Sequence, residues 1–166
     1  MSRAFVKEGT GELEPLPDLP ISPHPNYVTP RGLAALRARL FARQEDLVRL
    51  RARGERLDRL PEAAAERDIR YLEARLRSAI LVEAAKQHSS QVQFGHRVLV
   101  DQGGAEVAYE IVGEDEADGA LGRIAPQSPL ARALIGAEVG DVVIWRRPAG
   151  AVELEVLAMT PIDPMQ

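Results

Sequence analysis

The chain has 166 residues, 45% of them hydrophobic, and a formal charge of −4. That suffices for one or two small cored domains, and no window approaches the roughly 18 consecutive apolar residues of a membrane span. There is no cysteine, which excludes disulfides, thiolate nucleophiles and every cysteine-based metal site. The opening MSRAFVKEG lacks an apolar leader, so a cytoplasmic location is the expectation.

His24, His88 and His96 have no paired metal-ligand spacing, and the phosphate-cradling and nucleophile-elbow motifs GxGxxG, GxxxxGK[ST] and GxSxG are absent. No cofactor of its own and no small-molecule substrate are therefore expected. The small net charge hides a partition: residues 29 to 91 carry 14 basic and 9 acidic side chains, residues 92 to 160 carry 5 and 11. Such asymmetry suggests that the two regions meet different partners, although a charge run is also an ordinary solvated face.

In chain order, residues 1 to 28 read as an extended arm. PLPDLPISPHP, residues 15 to 25, has five prolines, which fix φ and remove backbone donors, so it has no helix or ladder of its own. Thr29-Pro30 then signals a helix start, a capping hydroxyl followed by proline in the first turn. Leu33, Leu36, Leu40, Leu47 and Leu50 follow at a/d spacing, with Arg43 where another leucine is expected. Arg43 either pairs with an acid of the opposite arm or loosens the seam there.

A second helical run from about Pro61 to Lys86 presents Ala65, Ile69, Leu72, Leu76 and Ala79. The short connection makes the two helices antiparallel neighbours, so residues 29 to 91 are predicted to form a coiled-coil hairpin projecting about 36 Å. GERLDRLPEA, residues 54 to 63, occupies its far end.

From Phe94 the apolar period changes to two. HRVLV, VAYEIVG, VVIWRR and VELEVLA read as strands separated by turns such as Gly103-Gly104. SPLARALIG reads as a short helix capped by Ser128, with Pro129 in its first turn and Gly136 after its end. Residues 92 to 166 are thus expected to form an antiparallel sheet of four or five strands with one short helix across it, an α+β chain overall.

The runs FGHRVLV, YEIVGEDEAD, GRIAPQSPLARALIGAEVGD and VELEVL resemble the C-terminal domain of the bacterial GreA/GreB transcript cleavage factors. NYVTPRGLAALRARL, residues 26 to 40, resembles the entry to that family's coiled coil. The resemblance implies an antiparallel coiled-coil hairpin followed by an FKBP-like domain, and bacterial RNA polymerase as the partner. It implies that the hairpin enters the secondary channel and that tip carboxylates help hold a Mg²⁺ of the polymerase active site. The chain would then be an activator rather than an enzyme.

The family tip has an aspartate and a glutamate three residues apart after a glycine. Here Gly54-Glu55-Arg56-Leu57-Asp58 keeps the glycine and the spacing with the two acids exchanged, which makes Glu55 and Asp58 the candidate catalytic and metal-binding pair. Hard oxygen ligands on a rigid support suit a weakly held, largely hydrated cation. Asp58 also reads as a helix cap before Pro61. The arm is about one heptad short of the family's, which draws a shared tip back by about 5 Å.

The resemblance further marks Asp115, Glu116, Ser128, Pro129 and Arg132 as polymerase-binding candidates. Among the first-arm arginines, Arg43, Arg49 and Arg53 are candidates for contact with the nascent RNA 3′ segment, where guanidinium meets phosphate; arginine is equally a good helix former. Three readings stay open: a cleavage-stimulating elongation factor, a channel-binding regulator without cleavage of the Rnk type, and an FKBP-type prolyl isomerase. The last is the weakest, because aromatic residues make up only 4% of the chain.

Overall fold

The computed structural model describes residues 15–53 and 59–165. Two helices, α1 (Pro30–Ala52) and α2 (Leu60–Ser78), pack against one another as the predicted hairpin. The Thr29 hydroxyl accepts from Gly32 N at 2.9 Å and starts α1, satisfying one of the free donors of the first turn. At 23 residues α1 is about 34 Å long. Leu36, Leu47, Ala65 and Leu72 are buried along the seam, and Leu33, Leu40 and Leu76 close over its lower part.

The second helix ends earlier than its periodicity predicts. α2 stops at Ser78, Ala79 turns to ψ 128°, and Ile80–Leu81 become a short strand, β2, that pairs in parallel with β1 (Tyr27–Val28). Only a single 3₁₀ turn, Ala84–Lys86, follows. Asn26 explains the stop: its Nδ2 donates to Arg75 O at 2.8 Å and to Ser78 Oγ at 3.1 Å, satisfying a last-turn carbonyl from outside the helix. The branched Ile80 and Val82 also favour extended backbone.

The C-terminal sheet consists of β3 (His96–Gln102), β4 (Ala105–Ile111), β5 (Arg123–Ile124), β6 (Val142–Arg147) and β7 (Gly150–Pro161) in the order β5-β4-β3-β7-β6. The antiparallel expectation needs one correction, since β5 runs parallel to β4. The chain leaves β4 through the GEDEAD loop rather than a tight turn, and a crossover of that kind returns it in the same direction. A register shift at Leu99/Val100 bends the sheet. Over it lies α3 (Pro129–Leu134), whose Leu130, Ala131 and Leu134 join Val98, Val100, Ile111, Leu154 and Val156 in the core.

Gly113 follows β4 where the sheet meets the root of the hairpin. A Cβ there would lie 2.5 Å from Tyr27 O, so this close backbone approach requires glycine.

Candidate functional site

The hairpin is joined to the sheet by a cluster of buried charges. Arg75, in the last turn of α2, has a side chain only 2% exposed. Its Nε donates to Asp115 Oδ2 at 2.6 Å and its Nη2 to Asn26 Oδ1 at 2.7 Å, with Glu114 Oε2 at 3.4 Å. Tyr71, one turn earlier, donates its hydroxyl to Asp115 Oδ1 at 2.5 Å. Burial and that hydrogen bond push the Tyr71 phenol up to about 12.

A second set fastens the start of α1. Arg31 donates from Nε to Glu116 Oε1 and from Nη2 to Glu110 Oε2, both at 2.6 Å, while the Thr29 hydroxyl donates to Glu116 Oε2 at 2.6 Å. Burial alone would raise the Glu110 carboxyl, but its hydrogen bond to Arg31 and the charges of Arg31, Arg123 and Arg97 hold it below its ordinary value. Thr29 thus serves α1 with its lone pair and the GEDEAD loop with its proton. Gly32 lets the carboxylate in, since a Cβ there would lie 2.5 Å from Glu116 Oε2.

Two of the expected docking residues, Asp115 and Glu116, therefore hold the molecule together, with side chains 9% and 6% exposed. Ser128, Pro129 and Arg132 lie together on α3. The Ser128 hydroxyl caps the helix by accepting from Ala131 N at 3.2 Å, and Pro129 and Arg132 are exposed. Leu130 and Leu134 belong to the core.

Along the hairpin, Arg43 pairs with Asp68 of the opposite helix at 2.9 Å and stands 3.6 Å from Asp46. The seam position filled by arginine is thus a cross-helix ion pair. Arg49 lies 3.5 Å from both Glu45 and Asp46, and Arg53 is exposed at the end of α1. Glu55 and Asp58 fall outside the described residues. Among the described residues no group of three or more His, Cys, Asp or Glu side chains is arranged to hold a metal, and no helix is long and apolar enough to cross a membrane.

The proline-rich arm lies along the hairpin. Arg70 Nε donates to Asp18 Oδ1 at 2.6 Å and Arg70 Nη2 to Leu16 O at 2.9 Å, while the Ser22 hydroxyl donates to Glu114 Oε1 at 2.9 Å. Leu19 borders a hollow of about 360 Å³ together with Arg39, Arg43, Asp68 and Leu72. On the sheet domain another hollow is lined by Gln87, His88, Ser89, Ser90, His96, Met159 and Pro161, without Phe, Tyr or Trp. His96 is buried, its Nδ1 accepts from Gln93 N at 3.3 Å, and burial holds its pKa below the ordinary value.

Reading surface chemistry from sequence missed both Arg31 and Arg75 as binding groups within the chain. A signal for Arg75 was present: it falls three residues after Leu72 and so on the inward face, while four acids cluster in EIVGEDE. A charge on an inward face needs such partners.

A two-helix projection rooted by ion pairs on a bent α+β sheet defines the class. The family profile described as "Transcription elongation factor, GreA/GreB, C-term" matches residues 86–161. Transcription elongation factor GreA of Legionella pneumophila is 36% identical over 155 residues, covering 82% of this chain and 96% of that protein. The chain belongs to the GreA/GreB family. It is also 38% identical over 104 residues to the GreA of Pseudomonas putida, of whose length the match spans 65%. Among solved structures, GreA factor homolog 1 of Thermus thermophilus aligns over 82% of this chain and 99% of its own, at 24% identity and TM-score 0.38.

Proposed function

We propose that the chain is an accessory factor of bacterial RNA polymerase that acts at the secondary channel, where its hairpin enters and its sheet domain docks at the rim. The observation that carries this reading is the hairpin fixed by the Arg75–Asp115 pair to a domain with the GreA/GreB pattern. Ser128, Pro129 and Arg132 form the proposed docking surface. Asp115 and Glu116 contribute by anchoring the base of the hairpin beside it. The bent sheet with its single helix supports an FKBP-like classification, and a cytoplasmic location follows from the partner.

Glu55 and Asp58, which lie between α1 and α2 in the sequence, are proposed to supply carboxylate oxygens to a Mg²⁺ held mainly by the polymerase, promoting hydrolysis of backtracked RNA. Such an ion keeps several waters and accepts one or two carboxylates. The chain's part is delivery of those ligands on a stiff support. Arg43, Arg49 and Arg53 are proposed to attract the RNA 3′ segment, although the acids beside Arg43 and Arg49 reduce the charge they offer.

A second reading, a channel-occupying regulator without cleavage, is favoured by the short helices of 23 and 19 residues. Purified polymerase stalled in a backtracked complex separates the two. RNA shortening that disappears in Glu55→Ala/Asp58→Ala supports cleavage stimulation. Tight binding without shortening supports the regulator, and no binding overturns both.

A further inference from the structure

The ion-pair root grips the hairpin at one end, around Thr29, Arg31, Tyr71 and Arg75. A lever held only at its base can pivot about that base. The proline-rich arm adds holds both level with the root and beyond it. Asp18 and the Leu16 carbonyl both engage Arg70, and Leu19 reaches the hollow bordered by Arg39, Arg43 and Asp68. Ser22 bonds to Glu114 of the sheet domain, and Asn26 meets Arg75. One segment therefore touches the hairpin, the sheet domain and the root between them.

We propose that residues 15–26 form a strap that fixes the angle of the hairpin to the sheet domain, with Arg70 as its positioning residue. The sequence suits the task. Five prolines between residues 15 and 25 leave the free arm few conformations to lose, so docking costs less entropy than for an ordinary tail. The Arg70–Asp18 pair has side chains 39% and 75% exposed, so it holds little by itself. The strap works because several such contacts lie along one stiff segment. Arginine is needed at position 70 because its fork serves a carboxylate and a carbonyl together.

The functional consequence rests on the polymerase reading above. A hairpin already at the entry angle binds with the full population of molecules, whereas a swinging one binds with only the aligned fraction, and apparent affinity falls by that fraction. Loss of the strap should raise the concentration needed for half-maximal effect and leave the effect at saturation unchanged.

The absence of native cysteine permits a direct test in the full chain. Spin labels at Val48→Cys on α1 and Ala151→Cys on β7, both exposed positions, report the hairpin-to-sheet distance. The strap predicts one narrow distribution, broadened by Arg70→Ala and further by Arg70→Ala/Ser22→Ala, with Arg70→Lys between. Asp18→Ala removes the ion pair from the arm side without altering either helix and should broaden it too. In the stalled-complex assay, half-saturation should rise at least threefold in Arg70→Ala with the plateau unchanged. An unaltered distance distribution in all these variants, or a lowered plateau with unchanged half-saturation, overturns the strap. If the unsubstituted chain does not bind polymerase, the functional reading fails, while the distance measurement still decides the strap.

Discussion

Arg75 and Asp115 meet at 2.6 Å with side chains 2% and 9% exposed, so the last turn of α2 and the loop after β4 share one desolvated ion pair. Removing one member strands the other charge away from water. The Arg75→Ala change is expected to cost about 3–5 kcal/mol, read as a fall in the urea midpoint. Arg75→Lys should recover little, because an ammonium does not reproduce the fork that serves Asp115 and Asn26 together.

Two glycines give a matched comparison. A Cβ at Gly32 meets Glu116 Oε2 at 2.5 Å, whereas one at Gly119 meets nothing within 4 Å. Gly32→Ala pushes the carboxylate off Thr29 and Arg31 and should cost about 1–3 kcal/mol. Gly119→Ala should stay within about 0.5 kcal/mol of the unsubstituted chain. Thermal melting of the two variants checks the difference.

Acid should destabilise the fold in two stages. The His96 pKa is lowered from 6.5, so the unfolded chain takes up that proton first; stability is full above 6.5 and declines as pH falls below it. Glu110 is lowered from 4.5, so its contribution is present above that value and is lost as pH falls through its folded pKa. Urea midpoints measured from pH 8 to pH 3 should show both steps, and His96→Asn should flatten the first.

On α3, Arg132→Ala should weaken polymerase binding about tenfold or more without changing the melting temperature, since the side chain is exposed. Ser128→Ala removes the cap on Ala131 N and should cost about 0.5–2 kcal/mol of stability. A binding titration beside a melt distinguishes the two effects. Unchanged affinity in Arg132→Ala would place docking on another face.

The repeating parts of the molecule were legible in the sequence. Leucine spacing gave the hairpin, the Thr29-Pro30 and Ser128-Pro129 pairs gave the starts of α1 and α3, and alternation gave the four long strands. What escaped depends on contacts between distant segments. No proline or glycine follows Ser78 to mark a helix end, and the branched Ile80 and Val82 are a weak signal beside Asn26 reaching across from before α1. The two residues of β5 are too few to carry a period. Asp115 and Glu116 looked like surface acids until Arg75, Tyr71, Thr29 and Arg31 were brought to them. Glu55 and Asp58 were singled out by spacing and resemblance, lie outside the described residues, and have their role decided by the cleavage assay.

The parallel pairing of Tyr27–Val28 with Ile80–Leu81 brings the two legs of the hairpin together where they leave the body of the protein. The part of the hairpin beyond Arg31, Arg70, Tyr71 and Arg75, which anchor it, can therefore be lengthened, trimmed or exchanged as a cassette, provided that both legs change by matching amounts. Grafting a longer pair of helices onto this foundation would alter how far the protein reaches without rebuilding the part that anchors it.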